Sequence, residues 1–349
     1  MADFSEYKKQ GEPEKAQKAE NWGVAIGLQQ VDGLTPSKYL MSVAKDNIEG
    51  KISTDEAIEQ ISHYYKQNPA QTVAQENEQE ADEVSARINK LLATHTFSFS
   101  PAEYISIHKY LFTGIFDDDI AGKIRDYDIK KDEPILNGDT VIYGRADSIR
   151  ETLGYDFDKE KKFKYQGLSK ADKVKHIAEF MSSIWQIHPF GEGNTRATAV
   201  FIIKYLYTLG LETNNDMFEK HAKYFRNALV RANYQNLQKD IPYTTEFLDK
   251  FFGNLLLGEN NLLDNREMQI KDEPQQKAES KEKSKEKSKE KILRLISENS
   301  QITTKQLAEL TGLSVAGVEK NLRQMKEQNL IRRIGPDKGG HWEVIEKKG

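Results

Sequence analysis

The sequence of 349 residues contains no cysteine. A disulfide and a thiolate metal site are therefore excluded, and the composition gives no support to an oxidising compartment. The sequence also lacks an apolar run long enough to span a membrane, and its first thirty residues are polar rather than signal-like. We expect a cytoplasmic protein that does not associate with a membrane.

A strong excess of one charge is absent as well. The chain has 51 Lys and Arg residues against 55 Asp and Glu residues, which gives a net charge of −4. At this length the chain has room for two or three domains, and one of them can bury a proper interior.

Residues 188–196, with the sequence HPFGEGNTR, concentrate a base, a carboxylate, two glycines, an amide and a guanidinium. They follow a predicted amphipathic helix over residues 169–187 and lead into a second apolar helix from Thr195 to Gly210. Gly193 and Asn194 therefore lie where the second helix begins, with unpaired N–H groups and the positive end of the helix dipole facing the loop. The pattern predicts an anion site.

Three side chains of this loop suit phosphate chemistry. Glu192 is a hard carboxylate ligand for the Mg²⁺ that accompanies a polyphosphate, and Arg196 can donate a bidentate fork to phosphate oxygens. His188 suits a base that takes a proton from an incoming hydroxyl. Each residue alone is more often a helix cap or a packed side chain, but the set together predicts phosphoryl or nucleotidyl transfer.

The loop closely resembles the motif of the Fic family, His-x-Phe-x-(Asp/Glu)-Gly-Asn-(Gly/Lys)-Arg. The resemblance implies an enzyme that transfers AMP from ATP to a protein hydroxyl. It makes His188 the general base, Phe190 a buried anchor of the loop and Glu192 the Mg²⁺ ligand. The residues expected to hold the ATP phosphates are Gly193, Asn194, Thr195 and Arg196.

The loop departs from the family pattern at two positions. Thr195 replaces the usual Gly or Lys, which adds a side chain beside the phosphates but keeps the backbone donor. Ala199 occupies the position at which many family members have a second arginine that grips the γ-phosphate. Without that second arginine, the chain lacks the residue that orients the triphosphate in those family members.

Other stretches resemble further parts of the Fic core. Residues 107–112 and 121–125 are similar to the helix and turn that precede the loop. Residues 228–234 are similar to the segment that closes over the nucleotide base, and Asn233 stands at the position expected to contact adenine.

Residues 133–142 are expected to form two short strands around an Asn-Gly pair, which is a strong hairpin signal. The resemblance implies that this hairpin is a flap that pairs with an extended segment of the target protein, and an open ribbon edge can accept another chain in this way. A surface hairpin without a partner is the alternative. The residues expected to dock the target are Ile135, Leu136, Asn137, Gly138, Val141 and Ile142.

Thr72, Glu76 and Asn77 match the inhibitory (Ser/Thr)-x-x-x-Glu-(Gly/Asn) pattern of self-regulated Fic proteins. They lie on a predicted helix after Pro69, and the first two share one face of it. The resemblance implies that Glu76 competes for an arginine and repels the γ-phosphate, so that the chain restrains itself. Because position 199 is alanine, Arg196 or another arginine has to be the partner. A solvated face rich in Glu and Gln is the alternative.

Two further helix starts precede this helix, at Thr35-Pro36 and at Ser53-Thr54. Together the three helices predict a small unit over residues 33–98, similar to the separate antitoxin of some Fic toxins and fused here in front of the core. Residues 1–32 are expected to be a polar tail.

Behind the core, residues 259–290 are expected to be a charged linker, because from residue 271 onward they have no aromatic or branched apolar side chain. Residues 291–349 resemble a winged helix-turn-helix domain, with three predicted helices and two strands. A small basic surplus favours DNA over a docked protein as the partner of this domain. The residues expected to contact DNA are Lys320, Arg323, Arg332, Arg333 and Lys338.

Together these features predict a mainly α-helical protein with a Fic-type core over residues 99–258, an N-terminal inhibitory unit and a C-terminal winged helix. The expected reaction is the transfer of AMP from ATP, with Mg²⁺, to a Tyr, Thr or Ser hydroxyl of a target protein or of the chain itself. One alternative is a DNA-binding transcriptional regulator that senses nucleotide through the same loop. Another is a Fic enzyme that transfers UMP, phosphate or phosphocholine. The sequence leaves self-association open.

Overall fold

The computed structural model describes residues 4–9, 11–211, 216–270, 289, 291–311, 315–328, 330–335 and 341–345. The chain divides into two compact units, Met1–Ile270 and Lys271–Gly349. The boundary between them falls inside the predicted linker, while the finer domain boundaries stay predictions.

The first unit is built from helices joined by turns and short loops. Its α-helices are α1 (Ser5–Lys9), α2 (Pro13–Gly27), α3 (Lys38–Ile48), α4 (Thr54–Gln67), α5 (Val73–Ala93), α6 (Pro101–Phe112), α7 (Ile149–Lys162), α8 (Lys170–Ile187), α9 (Asn194–Thr208), α10 (Asp216–Ala232), α11 (Glu246–Phe252) and α12 (Asn265–Met268). Turns of 3-10 helix cover Leu28–Asp32, Pro134–Leu136, Ala146–Ser148 and Leu237–Lys239, and a π-helical turn over Gly253–Leu257 extends α11.

Short polar residues cap several of these helices. The side chain of Ser53 accepts the N–H of Glu56 at 3.2 Å, and the carboxylate of Glu56 accepts the N–H of Ser53 at 2.7 Å. The side chains of Ser37 and Ser169 cap α3 and α8 in the same position. Helix α3 therefore begins behind Ser37, two residues later than Pro36, because the serine satisfies an N–H that the helix itself leaves unpaired.

Helix α9 is the centre of the first unit. Every residue from Asn194 to Leu206 is buried, so the helix has no solvent face over that stretch. The rings of Phe99, Phe157 and Phe201 pack against one another beside it, with centroids 5.0 to 5.8 Å apart. This packing fixes the position of the first turn of α9 and of the loop in front of it.

The prediction of a polar tail over residues 1–32 is wrong. Helix α2 buries Trp22, whose indole N–H donates to Asn47 at 2.9 Å. Gly27 lets α2 lie close to α10, because a Cβ at this position would stand 2.4 Å from the Cα of Glu219. The polar residues of α2 are concentrated in its first half, which hides the apolar stretch over residues 22–28 that packs inward.

The helices predicted over residues 33–98 are α3, α4 and α5, and α2 shares a hydrophobic core with them. The buried carboxylate of Asp82 on α5 accepts the N–H of Ser37 at 2.8 Å and the hydroxyl of Tyr65 at 2.7 Å. These bonds satisfy a carboxylate that burial would otherwise make costly. They also fix α5 against the beginning of α3 and the end of α4.

The predicted two strands over residues 133–142 do not form, so that prediction is wrong. Residues 134–136 make a 3-10 turn instead, and Asn137 follows in the left-handed conformation with φ of 58°. Pro134 has no N–H for a strand ladder, and Ile135 and Leu136 are both buried although strand neighbours point to opposite faces. The backbone of Glu133 closes the loop by bonding to residues 138 and 139.

The second unit consists of a helix over residues 291–298, named α13, followed by α14 (Thr304–Thr311), α15 (Val315–Glu327), β1 (Ile331–Ile334) and β2 (His341–Val344). The strands pair antiparallel, with Ile331 opposite Val344. Its core includes Leu307, Leu322 and Trp342. Across the described parts of both units the fold is mainly α-helical, as expected, and none of the helices there is both long and apolar enough to cross a bilayer.

Candidate active site

The loop between α8 and α9 is held in shape by its own backbone and one amide. His188 ends α8 in the left-handed conformation, with φ of 50°, and its N–H donates to Trp185 O at 3.1 Å. The side chain of Asn194 accepts the N–H of Phe190 at 3.0 Å and donates to Phe190 O at 2.8 Å. The amide of Asn194 therefore braces the loop, and its backbone N–H is the group left to face an anion.

Two other residues of the predicted phosphate site also shape the loop. Gly193 has φ of 73°, and a Cβ there would lie 2.5 Å from the ring of Phe112, so only glycine fits. The hydroxyl of Thr195 accepts the indole N–H of Trp185 at 3.0 Å and is buried. The prediction that Thr195 adds a side chain beside the phosphates is wrong, because the Trp185 contact turns it into the core.

His108 on α6 contacts the loop through its ring and through a hydrogen bond. Its ring stacks on Phe190 with centroids 3.7 Å apart. Its Nδ1 accepts the N–H of Gly122 at 3.0 Å, so its Nε2 carries the proton and donates to Glu192 O at 2.9 Å. Burial lowers the pKa of His108 to about 4, which keeps the imidazole neutral.

Arg125 binds several backbone carbonyl groups of the loop and of the segments next to it. Its Nε donates to His188 O at 2.8 Å, and its NH1 and NH2 donate to Tyr127 O and Gly144 O. A guanidinium has five donors in a fixed fork, which suits it to bind several carbonyls at once. The sequence places Arg125 only in a turn, because its partners lie up to 63 residues away and leave no local pattern.

His188 is buried and neutral. Burial lowers its pKa well below the ordinary value, and the positive charges of Lys131, Arg226 and Arg125 act in the same direction. Its Nδ1 lies 3.2 Å from the carbonyl of Trp185, which can only accept, so Nδ1 carries the proton. The lone pair is therefore on Nε2, and His188 can take a proton from a hydroxyl there.

Arg196 is enclosed by three acceptors of the N-terminal helices, named here the Arg196 clamp: Gln29, Asp32 and Glu80. Its NH2 donates to Glu80 at 2.6 Å and its NH1 to Gln29 at 3.0 Å. Asp32 lies 2.8 Å from Nε as an ion pair whose angles do not meet hydrogen-bond geometry. The predicted phosphate ligand is thus 2% exposed and held by protein carboxylates.

The carboxylate on Arg196 is not the one that the sequence pattern indicates. Thr72 caps α5 by accepting the N–H of Gln75, and Thr72, Glu76 and Asn77 are all exposed. The prediction that Glu76 competes for the arginine is therefore wrong. Glu80, one helical turn later, makes that contact, and its side chain is only partly exposed.

Arg196 opens onto a cavity of about 800 Å³ in the first unit. The cavity lies between the 3-10 turn Leu28–Asp32, the loop before α9, the turn Pro134–Leu136, and helices α10 and α12. The charged residues on its wall are Asp32, Glu80, Lys131, Glu192, Arg196, Lys223, Arg226 and Arg266. Cations outnumber anions there, so the cavity suits an anionic ligand.

Glu192 fits the predicted role of a metal ligand. Its carboxylate is 59% exposed and lies on the cavity wall, with Lys131 Nζ 3.2 Å away. No cluster of three or more metal-binding side chains occurs among the described residues. A single carboxylate together with substrate phosphates is the arrangement in which Mg²⁺ keeps most of its other ligands as water.

Asn233 directly follows α10 and is buried. Its amide donates to Ser182 Oγ and Leu229 O, both at 2.9 Å. These bonds join α10 to α8 and engage the amide hydrogens that would recognise adenine. Contact with adenine stays a prediction for this residue.

The predicted docking residues are split by burial. Ile135, Leu136 and Val141 belong to the hydrophobic core, whereas Ile142 is 79% exposed. The segment that follows Gly138 therefore offers one apolar side chain to a partner.

The predicted DNA-binding residues differ in their contacts within the protein. Lys320 and Arg323 are exposed on α15. On the wing, Arg332 pairs with Glu343, and the guanidinium of Arg333 lies 4.9 Å from the ring centroid of Trp342. Lys338 lies outside the described residues.

Two parts of the chain match known families. Residues 98–206 match the model of the Fic/DOC family, and residues 285–332 match a model described as winged helix-turn-helix DNA-binding. No curated protein has significant sequence similarity to the chain.

Several solved structures are similar to this chain over 54% to 95% of its length. A Fic family protein from Desulfovibrio desulfuricans G20 has 14% identity and a TM-score of 0.43, over 95% of this chain and 88% of its own. The N-terminal Fic domain of a Bartonella effector protein from Bartonella sp. AR 15-3 has 19% identity and a TM-score of 0.43, over 54% of this chain and 85% of its own. The BepC protein of Bartonella tribocorum, with bound AMPPNP, has 18% identity and a TM-score of 0.41, over 54% and 89%.

Proposed function

The chain joins a domain of the Fic/DOC family to a winged helix-turn-helix domain, and from this we propose that the first unit transfers AMP from ATP to a hydroxyl group of a protein. Fic domains generally transfer phosphate-containing groups, and the proposal goes beyond this in naming AMP as the group. The tautomer of His188 is the observation that carries the proposal, because it leaves the lone pair of Nε2 to take a proton in the loop that leads into α9.

The proposed step is an in-line displacement at phosphorus. The oxygen of a Tyr, Thr or Ser side chain attacks the α-phosphorus of ATP, and the bond from that phosphorus to the pyrophosphate oxygen breaks. His188 Nε2 takes the hydroxyl proton. The first-turn N–H groups of α9 and the guanidinium of Arg196 would neutralise the phosphate charge.

Glu192 is the residue that would hold Mg²⁺ with the nucleotide. Bound there, the ion would stabilise the charge that develops on the phosphate oxygens. The target protein would meet the loop over residues 139–143, where Ile142 is the exposed apolar side chain.

The Arg196 clamp would restrain this reaction. As long as Glu80 and Asp32 pair with the guanidinium, its positive charge is already compensated, and two carboxylates repel the incoming anion. The proposed restraint therefore uses Glu80, with Asp32 beside it, in place of Glu76.

A second candidate is a DNA-binding regulator that senses nucleotide through the same loop. The exposed Lys320 and Arg323 on α15 and the winged-helix match favour it. A third candidate, a Fic enzyme for another phosphate-containing group, differs from the first in the group that is transferred.

The test uses ATP labelled at either the α- or the γ-phosphate, with Mg²⁺ and the full chain carrying Glu80→Ala and Asp32→Ala. We expect α-label to become covalently attached to the chain or to a protein of an added cell lysate, and γ-label to leave with pyrophosphate. His188→Ala should lower the labelling at least a hundredfold without loss of the fold.

The other outcomes separate the candidates. Attached γ-label alone would show phosphate transfer, and label from α-labelled UTP alone would show UMP transfer. Nucleotide binding without any covalent label would support the regulator and contradict AMP transfer.

A further inference from the structure

A triphosphate needs more positive charge than the loop before α9 provides. Arg196 is held in the clamp, and Ala199, one turn further along α9, is fully buried in the hydrophobic core. The remaining cations on the cavity wall are therefore the ones to consider for the phosphate tail.

Lys223 is exposed on α10, where solvent screens its charge. Two of the other three cations, Arg226 and Arg266, are already committed. The guanidinium of Arg226 donates to both carboxylate oxygens of buried Glu133, at 2.6 and 3.1 Å. Arg266 pairs with Asp264 at 2.8 Å, and its side chain is 89% exposed, where solvent screens its charge. Breaking the first pair would leave a buried carboxylate without its partner, which is costly.

Lys131 differs from both because its partner is the group that would bind the metal. Its Nζ lies 3.2 Å from the carboxylate of Glu192, and its side chain is 27% exposed on the cavity wall. A Mg²⁺ ion on Glu192 would replace the ammonium group as the counter-charge of that carboxylate. The flexible stem of Lys131 would then let the ammonium move to another anion nearby.

A backbone hydrogen bond holds the main chain of Lys131 in place. The N–H of Lys131 donates to the hydroxyl of Thr140 at 3.3 Å, which joins it to the residue that follows the loop over residues 133–139. The positive charge of Lys131 also reaches His188, since it is among the causes that lower the pKa of that imidazole. Lys131 thus contacts the residue proposed to bind the metal, and its charge acts on the base.

We propose that Lys131 is a nucleotide-binding residue that leaves Glu192 when a metal–nucleotide complex binds and pairs with the β- and γ-phosphates. The ligand class is a nucleoside triphosphate, and the residue makes the site prefer it over a monophosphate. This inference rests on the proposed function, because it needs a nucleotide in the same cavity. It assigns the contact to a segment that precedes the loop by more than fifty residues.

The test measures binding, so it does not depend on turnover. The full chain with Asp32→Ala and Glu80→Ala is the parent, and calorimetric titrations in Mg²⁺ use α,β-methylene ATP, α,β-methylene ADP and AMP. Lys131→Met is compared with Lys131→Arg, which keeps the charge, and with Lys130→Met, which removes a charge from the exposed neighbour.

We expect Lys131→Met to weaken binding of the triphosphate about tenfold, the effect expected for one charge-assisted hydrogen bond. The diphosphate should be weakened less, and AMP should bind as it does to the parent. Lys131→Arg should stay within about threefold of the parent for all three ligands, and Lys130→Met should match the parent.

Equal weakening of the three ligands by Lys131→Met would overturn the inference, since it would show that Lys131 only supports the fold. Unchanged binding of the triphosphate would overturn it as well. A parent that binds none of the three ligands would instead overturn the proposed function, and the inference with it.

Discussion

At the scale of single residues, the loop before α9 depends on two buried neutral histidines. His188 needs its lone pair on Nε2 to take a proton. His108 needs one donor and one acceptor, because Glu192 O accepts from it and the N–H of Gly122 donates to it. A protonated His108 would turn a second N–H toward the N–H of Gly122, so its charge state and the shape of the loop are linked.

This linkage predicts a loss of stability in acid. The pKa of His108 is about 4 in the folded protein and near 6.5 in an unfolded chain, so the unfolded state binds the proton first as the pH falls. The resulting stabilisation is present above pH 6.5 and is lost as the pH falls toward 4, up to about 3 kcal/mol. His108→Phe would keep the stack on Phe190 and remove this dependence.

Urea unfolding of the wild type and of His108→Phe at pH 7.5 and pH 4.5 measures the effect. At pH 7.5 the variant should have the lower free energy of unfolding, because phenylalanine cannot form the hydrogen bonds of the imidazole to Gly122 and Glu192. The difference between the two free energies should be smaller by about 2 kcal/mol at pH 4.5. A gap that is the same at both pH values would show that His108 does not titrate in this window.

At the scale of secondary structure elements, two separate segments reach Arg196. Glu80 comes from α5, and Gln29 and Asp32 come from the 3-10 turn after α2. Both segments pack on α9 through apolar side chains, which is what brings their polar groups to the guanidinium. Restraint of the site is therefore a property of how these helices pack.

We expect Glu80→Ala to raise the rate of AMP transfer about tenfold, because it removes a charge-assisted hydrogen bond from Arg196. Asp32→Ala should have a smaller effect, since Asp32 is more exposed and its contact lacks hydrogen-bond geometry. Initial rates of covalent labelling with α-labelled ATP measure both.

Glu76→Ala is the matched control for this prediction. It removes the same charge from the same helix one turn earlier, at an exposed position, and the rate should stay that of the wild type. A rate that rises with Glu76→Ala and not with Glu80→Ala would contradict the clamp and restore the restraint that the sequence pattern indicates.

At the scale of the whole molecule, a helical unit with the candidate active site is followed along the chain by a separate compact unit, which contains α13, α14, α15, β1 and β2. In the second unit Arg332 and Arg333 of β1 contact Glu343 and Trp342, while Lys320 and Arg323 of α15 are exposed. We expect α15 to be the helix that contacts DNA.

Replacing Lys320 and Arg323 by alanine should weaken binding of a double-stranded DNA probe. The logarithm of the association constant falls as the logarithm of the salt concentration rises. In the variant this fall should be less steep, by about 0.9 for each phosphate that is no longer neutralised. Arg294→Ala on α13 removes an exposed cation from another helix and should leave binding unchanged. Fluorescence anisotropy at several salt concentrations measures this. A slope that the double variant does not change would exclude α15 as the DNA-binding helix.

The same binding assay separates the enzyme from the nucleotide-sensing regulator. If the Fic/DOC domain acts as an enzyme, Mg²⁺ and ATP should leave DNA affinity unchanged in the His188→Ala variant. A change in affinity with nucleotide in that variant would support the regulator, because it would couple the two sites without chemistry.

The sequence by itself determined the features that depend on neighbouring residues. The limits of α8 and α9 follow from periodic apolar residues and from caps, and the loop between them is recognisable because its residues are contiguous. The helices of the second unit and its two strands can be predicted for the same reason. Local hydrogen bonds and the period of a helix are encoded within a few residues, so a single sequence is enough to locate them.

The tertiary structure alone decided which groups meet. Glu80 lies 116 residues from Arg196, and His108 lies 84 from Glu192, so neither pairing leaves a local pattern. The burial of α2 and the loop that replaces the predicted hairpin were also decided by packing between distant segments. An apolar side chain in a sequence indicates that it prefers to be buried, but it does not indicate which part of the protein covers it. The chemistry of the loop could be predicted from its residues, while the control of Arg196 depends on how distant helices pack around it.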